Sequence, residues 1–550
     1  MRGTALAESR PAGEGRAAGG GPGIETWTLF LLVFGAQFAF GMWMDGRGFL
    51  WGDALDRATS ALVALYSTDP HLAAIGFVWM PLPTLLEIAL TSTYVLWPQV
   101  VSSGFASTFI TALAGGVTAV LLLKVSRRFG VSPVVGWAFA LLVCTNPMLF
   151  LFYTNGMSEG VAAPFLIGAT AGITLFWYTG RRSYVAMASL ALAFGFASIY
   201  QAVPYGGSLF AALVLGVLFG SESKRSAPQG AWRAIEGLGI LFLVPSVYVG
   251  ILWIGANWVI MGDPLYFAHS QYSNQGVVAS YEGARLAAGA TGDLGATLHY
   301  VGERTAPFLI PTAFLLAARI LDGRAREVNT ISLVLLNLGV PLGLMVPQLY
   351  AGSSFGWLRY FMYPLFAAAG WGLYEVAKSR RKRLATVFVL GGWAFAFPVV
   401  LWAMANPSLG QDEHYEVRAL VSGQDASETG FTNYLADAAP VVRYLEEKVM
   451  PEGHVVAADA TQGWPIAAQM PPRYLSNLLM LTPDRRFLQA VRAPQKYHVS
   501  YLLVPDPKKY PNDLINTTYP RLWEGKEPGF RLAAKFPRTM QGWRLYRLAR

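Results

Sequence analysis

About eleven long apolar stretches, broken by short polar connections, fill the first 405 residues of the chain. An α-helix needs roughly 20 mostly apolar residues to cross a bilayer, and stretches of about that size fall at 24–44, 100–123, 131–152, 159–179, 184–202, 204–220, 235–260, 305–320, 328–349, 358–377 and 384–405. The polar leader before the first is long for a signal peptide, and no small-residue cleavage site follows, so 24–44 reads as a retained helix. Beyond residue 405 the pattern changes. The run "APVVRYLEEKVMPEGHVVAAD" has a helical apolar period, then a Pro-Glu-Gly turn, then a strand. "YHVSYLLVPDP" reads as a buried strand, and "FRLAAKF" with "WRLYRLA" as a closing strand pair. The expected architecture is therefore a polytopic α-helical membrane domain, 24–405, followed by a small α/β domain, 406–550.

Composition and charge add an orientation. The chain is 54% hydrophobic and 14% charged, with a mean hydropathy of +0.38, whereas soluble domains carry about 25% charged residues. The net charge of +9 is not a nucleic-acid signature, because the basic residues sit in short clusters between apolar runs. With the N-terminus inside, the inner loops hold Lys124, Arg127 and Arg128; Arg181 and Arg182; Lys224, Arg225 and Arg233; Arg319, Arg324 and Arg326; and Lys378, Arg380, Arg381, Lys382 and Arg383. The outer segments hold only Arg47, Arg57, Arg285, Arg304 and Arg359. An odd number of spans then puts 406–550 outside. Residues 1–23, rich in Gly, Ala and Arg, are expected to form a disordered cytoplasmic leader. The single cysteine, Cys144, lies in an apolar run and excludes an internal disulfide.

Two outer segments, 45–99 and 261–304, are longer than a connection requires, and long structured loops are usually functional. The first opens "WGDALDRATS" and continues through His71, Pro81 and Pro83 into "PTLLEIALTSTYVLW", an interfacial or re-entrant helix interrupted by Glu87. Asp53 and Asp56 at the start of a run of helix formers fit an N-cap and a capping-box carboxylate. They also fit a general base at the water-facing mouth of a helix bundle. Arg57 either pairs with Asp53 across one helical turn or faces an anionic donor.

This arrangement resembles the GT-C class of membrane glycosyltransferases that use lipid-phosphate sugars, among them protein O-mannosyltransferases and the aminoarabinose transferase acting on lipid A. The resemblance rests on the acidic helix after the first span, the His/Pro segment, "RRFG" after the second span, "NWVIMGDPLYF" at the seventh, "GWLRYFMYPLF" at the tenth and the outer C-terminal domain. The chain departs from the family in having Asp53-Ala54 where Asp-Glu is common, and in placing His71 ten residues before Pro81. The resemblance implies transfer of a sugar, with inversion, from a polyprenyl-phosphate carrier to a glycan, lipid or protein acceptor at the outer face of the plasma membrane. Such a donor already has a good leaving group, so the enzyme needs a base for the acceptor hydroxyl and cations for the departing phosphate. Asp53 is the expected base, with Asp56 the competitor, and Arg359, beside Tyr360, the expected phosphate partner, unless it only snorkels to the interface. Arg57, His71, Glu159 in "YTNGMSEG", Tyr200 and Gln201 in "SIYQAVPY", His269 and Arg304 complete the substrate-binding candidates. Glu159 also fits a helix cap, Tyr200 and Gln201 a plain turn, and Arg304 a local pair with Glu303. His269 and His299 lie thirty residues apart without an acidic partner and do not form a metal pattern, so no metal or other cofactor is expected. The triplet Asn516-Thr517-Thr518 fits a glycosylation sequon, too common by chance to build on. A transporter or flippase, or a catalytically inactive membrane scaffold, is the alternative reading; against transport, the two halves show no internal repeat and charges within spans are sparse.

Overall fold

The computed structural model describes residues 23–219, 228–270, 272–280, 287–481 and 484–549. The expected leader falls, up to residue 22, outside the described residues, as do Lys224, Arg225 and Arg285. Eight helices among the described residues are long and apolar enough to cross a membrane: Ile24–Asp45, Phe105–Arg128, Ser158–Thr179, Ala202–Phe219, Gly230–Met261, Leu294–Leu321, Val328–Tyr350 and Lys382–Ala405. Their outward faces carry large apolar side chains. On the helix Pro228–Met261 the exposed set includes Ile240, Val244, Val247, Ile251 and Val259, a surface that water does not tolerate and lipid does. The chain is a polytopic helical membrane protein with a small sheet in its C-terminal region.

Three of the expected apolar stretches are shorter helices, for local reasons. The stretch 131–152 is two helices, Pro133–Cys144 and Pro147–Phe152, because Pro147 cannot donate to the preceding turn and so starts a new helix. The stretch 184–202 is Ser183–Ser198. The stretch 358–377 begins with the 3-10 turn Leu358–Phe361 and becomes α-helical only at Tyr363–Lys378, with Pro364 in its first turn. The stretch expected at 305–320 instead begins at Leu294 and narrows through the 3-10 turn Ala306–Leu309, where Pro307 and Pro311 interrupt the α ladder. In the first long loop, Leu82–Thr91 has ten residues. At 1.5 Å per residue that is about 15 Å, too short to span.

Close packing in the bundle depends on small residues, as in membrane helices generally. A Cβ on Gly115 would lie 1.9 Å from Gln37 Oε1, and one on Gly370 would lie 2.7 Å from the Ile167 carbonyl oxygen. At one end of the bundle buried Arg319, Arg324 and Glu375 form a network with the half-buried Glu327 that joins three helices. Arg324 reaches Glu375 and Glu327 at 3.0 Å each, Arg319 pairs with Glu375 and with Glu327, and the Trp371 indole donates to Glu375 at 2.8 Å. Buried charges persist only when paired in this way.

The C-terminal unit is a five-stranded sheet of order β2-β1-β3-β5-β4, with β1 Val455–Ala458, β2 Leu478–Met480, β3 Val499–Val504, β4 Phe530–Lys535 and β5 Arg544–Leu548. Strands β2, β1 and β3 are parallel, and β5 pairs antiparallel with both β3 and β4. Side chains alternate between two cores. Val456, Ala458, Met480 and Leu503 pack on helices Tyr434–Lys448 and Ala460–Ala467, while Ala457, Leu479, Leu502 and Val504 pack on Phe487–Arg492. The crossovers β1→β2 and β2→β3 therefore cover opposite faces, and β1 and β3 flank a topological switch point. The compact unit starts at Tyr434. Residues before it belong to the bundle side: Leu409 and Val417 join the main helical core.

The first loop fastens the two parts. Helix Gly52–Tyr66 contributes Leu55, Ala58, Leu62 and Val63 to the same core as Val441, Leu445, Ile466 and Ala467 of the C-terminal unit. The Tyr94 hydroxyl donates to the Met470 carbonyl and Arg485 pairs with Asp69 at 2.8 Å, while Arg47 holds the segment before the unit through Asp425 at 2.9 Å.

The glycine packing yields a paired test. Gly370→Ala forces helices Ser158–Thr179 and Tyr363–Lys378 apart and should cost about 1–3 kcal/mol, the usual range for overpacking. Gly391→Ala, whose Cβ meets only Phe314 at 3.9 Å, should be neutral or stabilising by up to about 1 kcal/mol through helix propensity. Thermal unfolding of the two purified variants measures the difference, and equal shifts would remove the close-approach argument.

Candidate functional site

The site is organised by a buried arginine. Arg359 stands on the turn Leu358–Phe361 with only 3% of its surface exposed. Its guanidinium lies 4.1 Å from the Trp357 ring centre, with Tyr360 at 5.4 Å and Trp51 at 5.7 Å. One amino group donates to Asp53 Oδ2 at 2.9 Å. Its Nε faces Glu159 Oε1 at 3.4 Å, an ion pair without hydrogen-bond geometry. Asp412 adds a further negative charge within range. Burial of this side chain is thus compensated rather than snorkelled. Glu159 sits in the first turn of Ser158–Thr179, where its charge also favours the positive helix end.

The capping expectation for the first-loop carboxylates is not met. Helix Gly52–Tyr66 is entered through Trp51, and no side chain caps it. Asp53 turns to Arg359 because a buried guanidinium competes for a carboxylate more strongly than a backbone N–H does. Arg57 does not pair with the Asp53 carboxylate either. It reaches the Asp53 carbonyl at 3.4 Å, stacks 4.6 Å from the Trp79 ring centre, and leaves its buried Nε without a hydrogen-bond partner. Asp56 is half-buried, and burial pushes its carboxyl up to about 7; the Asp53 charge adds to this and Arg57 opposes it.

Two adjoining cavities meet at Asp53. One, of about 540 Å³, is walled by the bundle and lined by Asp53, Arg57, Glu159, Tyr200, Gln201, Arg359 and Tyr360. The other, of about 450 Å³, lies under the C-terminal unit and is lined by Asp53, Asp56, Tyr272, Asp459, Lys509 and Asp513 among others. Seven of the eleven candidates from the sequence share the first cavity, and Asp56 lies in the second.

Three candidates lie elsewhere. His71 bonds locally to the Asp69 carbonyl. His269 has an acidic partner after all, Asp263 at 3.2 Å, but the pair is exposed. Arg304 stacks 3.5 Å from the Tyr300 ring centre and donates to the Ser408 carbonyl at 2.7 Å, with Glu303 at 3.5 Å, so it serves packing between the second loop and residues 406–411. Tyr200 also has a structural duty, donating to the Val78 carbonyl at 2.9 Å and stacking on Phe267. The sequon side chain Asn516 is buried and donates to the Pro505 carbonyl at 2.9 Å, which leaves no room for a glycan.

Sequence reasoning missed the whole far wall of the second cavity. Asp459 directly follows β1, and the loop 505–513 follows β3. The rule that open α/β sheets bind ligands at the carboxyl ends of strands beside a switch point would have marked both. Among the described residues no group of three or more His, Cys, Asp or Glu side chains is placed to hold a metal ion. No family model matches the chain, and no curated protein matches it.

Trp51, which faces Arg359, is held from behind by its indole N–H donating to the Glu416 carboxyl. Burial pushes Glu416 up to about 8, with Asp45, Glu413 and Asp412 reinforcing the shift against the Trp51 bond; burial and Asp412 push Glu413 up to about 7. A carboxyl whose pKa is higher folded than unfolded holds its proton in the folded state, so its contribution to stability is full near pH 4 and lost as pH rises to about 8. Glu416→Gln keeps an acceptor for Trp51 and removes one titrating group. The variant should gain thermal stability relative to the parent between pH 5 and about 8, by about 1.4 kcal/mol per pH unit at most. Melting curves across that range measure the difference, and a constant offset between the two proteins would refute it.

Proposed function

We propose that the protein is an inverting glycosyltransferase that moves a sugar from a polyprenyl-phosphate carrier to an acceptor hydroxyl at the outer face of the membrane. In this reading the bundle has eleven spans, with the helices Pro133–Cys144, Ser183–Ser198 and Tyr363–Lys378 completing the eight long ones, and the C-terminal unit lies outside. The observation that carries the proposal is the position of Asp53, on the boundary of two cavities of opposite character. The bundle-side cavity offers Arg57 to a phosphate, and the other offers polar groups of the C-terminal unit to an acceptor.

The reaction is a single displacement. The acceptor oxygen attacks the anomeric carbon, the bond from that carbon to the phosphate oxygen breaks, and the electron pair leaves on the polyprenyl phosphate. Asp53 takes the acceptor proton through the carboxylate oxygen that does not face Arg359. Arg57, the cation without a carboxylate hydrogen bond, meets the departing phosphate; Arg359 is already engaged by Asp53 and Glu159 and orients the base. A second reading exchanges the carboxylates. Asp56 lies beside Asp53 and its raised pKa of about 7 suits a general base.

The test uses purified protein in detergent with a polyprenyl-phosphate sugar and no vesicle gradient. Asp53→Asn should reduce transfer by about 100-fold or more and leave the protein folded, since Asn retains an oxygen for Arg359 and Glu159 retains its charge. Arg57→Gln should raise the donor KM about tenfold or more, the scale of one charge-assisted hydrogen bond. Full turnover by Asp53→Asn together with loss in Asp56→Asn would move the base to Asp56. No donor consumption by the parent protein would end the glycosyltransferase reading.

A further inference from the structure

The cavity under the C-terminal unit has features of a built binding site. It opens at the carboxyl ends of β1 and β3, the switch point of the parallel strands, where open α/β sheets hold their ligands. Asp459 and Asp513 both line it and both are at least nine-tenths buried. Asp459 Oδ2 accepts from the Tyr272 hydroxyl and from the Leu514 backbone N–H, each at 3.0 Å. Asp513 uses Oδ1 to accept from the Asn516 N–H at 2.7 Å, while its Oδ2 is buried without a hydrogen-bond partner. A buried oxygen left unpaired costs free energy in the empty protein, and a ligand that donates to it recovers that cost.

The chemistry of the ligand follows from what the walls accept. Burial and the neighbouring Asp459 charge raise the Asp513 carboxyl well above the usual carboxylate range, so the pair offers acceptors together with one acid proton, a set that matches hydroxyls, which both donate and accept. The negative charge the pair retains disfavours a phosphate or a carboxylate ligand, and the ammonium that lines the pocket, Lys509, donates to the Met540 carbonyl at 2.9 Å. An anion therefore belongs in the other cavity, with Arg57. Aromatic surface is also present: Trp464 and Tyr434 line the pocket with ring centres 5.0 Å apart, and such faces suit the C–H faces of a sugar ring. Asp53 and Asp56 line the same cavity.

We infer that this crevice is the acceptor subsite and that it holds a neutral, hydroxyl-rich headgroup, a sugar or polyol whose hydroxyls donate to Asp513 and Asp459 while one further hydroxyl reaches Asp53. The inference rests on the glycosyltransferase reading and names its acceptor class. It makes Asp513 a specificity residue rather than a catalytic one.

The experiment uses the full chain in lipid nanodiscs and separates the two claims. Binding of soluble neutral oligosaccharides and of inositol is followed by saturation-transfer NMR, which needs no turnover. Asp513→Asn keeps the helix cap, because Asn caps as well as Asp, but it replaces one acceptor oxygen by an amide; it should weaken polyol binding about tenfold or more. In the activity arm the same variant should raise the acceptor KM by a similar factor. Tyr272→Phe, which removes a donor to Asp459, should also weaken polyol binding. Polyol binding that depends on Asp513 supports the subsite even if the parent protein consumes no donor, an outcome that would refute only the reaction. Unchanged polyol affinity in both variants would overturn the subsite. So would tight binding of calcium or magnesium alone that Asp513→Asn abolishes, which would make this a cation site.

Discussion

A buried guanidinium is affordable only where opposite charge surrounds it, and Arg359 imposes that condition on the whole molecule. Its compensating carboxylates come from helix Gly52–Tyr66 in the first loop, through Asp53, and from the mouth of Ser158–Thr179, through Glu159. Asp53 and Arg359 are 306 residues apart in sequence. The loop, the fourth apolar stretch and the tenth must therefore meet at one point, or a charge is left unpaired in a low-dielectric interior. The aromatic box of Trp51, Trp357 and Tyr360 keeps water from competing for the same cation, which makes the ion pair stronger and the geometry less forgiving.

The same helix that carries Asp53 also holds the C-terminal unit. One face of Gly52–Tyr66 lies in a core shared with helices Tyr434–Lys448 and Ala460–Ala467, and another face is turned to the two cavities. An amphipathic helix with both faces in use cannot rotate: a turn that improved the apolar contacts would take Asp53 off Arg359. Docking of the C-terminal unit and alignment of the carboxylate are consequently one event. That coupling explains why a small α/β unit that has its own two-sided sheet core is bound to the loop by further ties such as Arg485–Asp69 and Tyr94–Met470.

Much of this architecture was legible in the residues because it is written in local pattern. Long apolar runs marked the eight long helices, and the short runs "HVVAA", "VSYLLV", "FRLAAK" and "RLYRL" marked four of the five strands. Strand β2 went unseen because "LLM" is three residues long and carries no period. The candidate site was half legible. Asp53, Arg57, Glu159 and Arg359 stood out because charge is scarce near apolar spans, and scarcity is visible without a structure. Their partners were not visible, since pairing across hundreds of residues has no local signature. The capping reading of Asp53 failed for the same reason: a local rule assigned the carboxylate to its own helix, and a distant arginine outcompeted it. Asp459 and Asp513 escaped notice because carboxylates after a strand are ordinary until the sheet order makes the strands adjacent.

Charge also sorts the two cavities. A phosphate-bearing substrate gains from Arg57 on the bundle side and is disfavoured by the charge of the Asp459–Asp513 pair on the other, while a neutral polyol needs little desolvation in either and meets the unpartnered Asp513 Oδ2 under the sheet. The two substrates of a transfer reaction would thus be steered apart before any contact specific to either is made. A single displacement requires nucleophile and leaving group to approach the reacting carbon from opposite sides. Two cavities that share Asp53 in their lining would let the acceptor and the carrier reach that carboxylate by separate routes. The price is borne at the junction, where Asp53 must stay close enough to Arg359 to be held and far enough into the opening to reach a hydroxyl. Its side chain, one-third exposed while Arg359 is almost fully buried, occupies that compromise position.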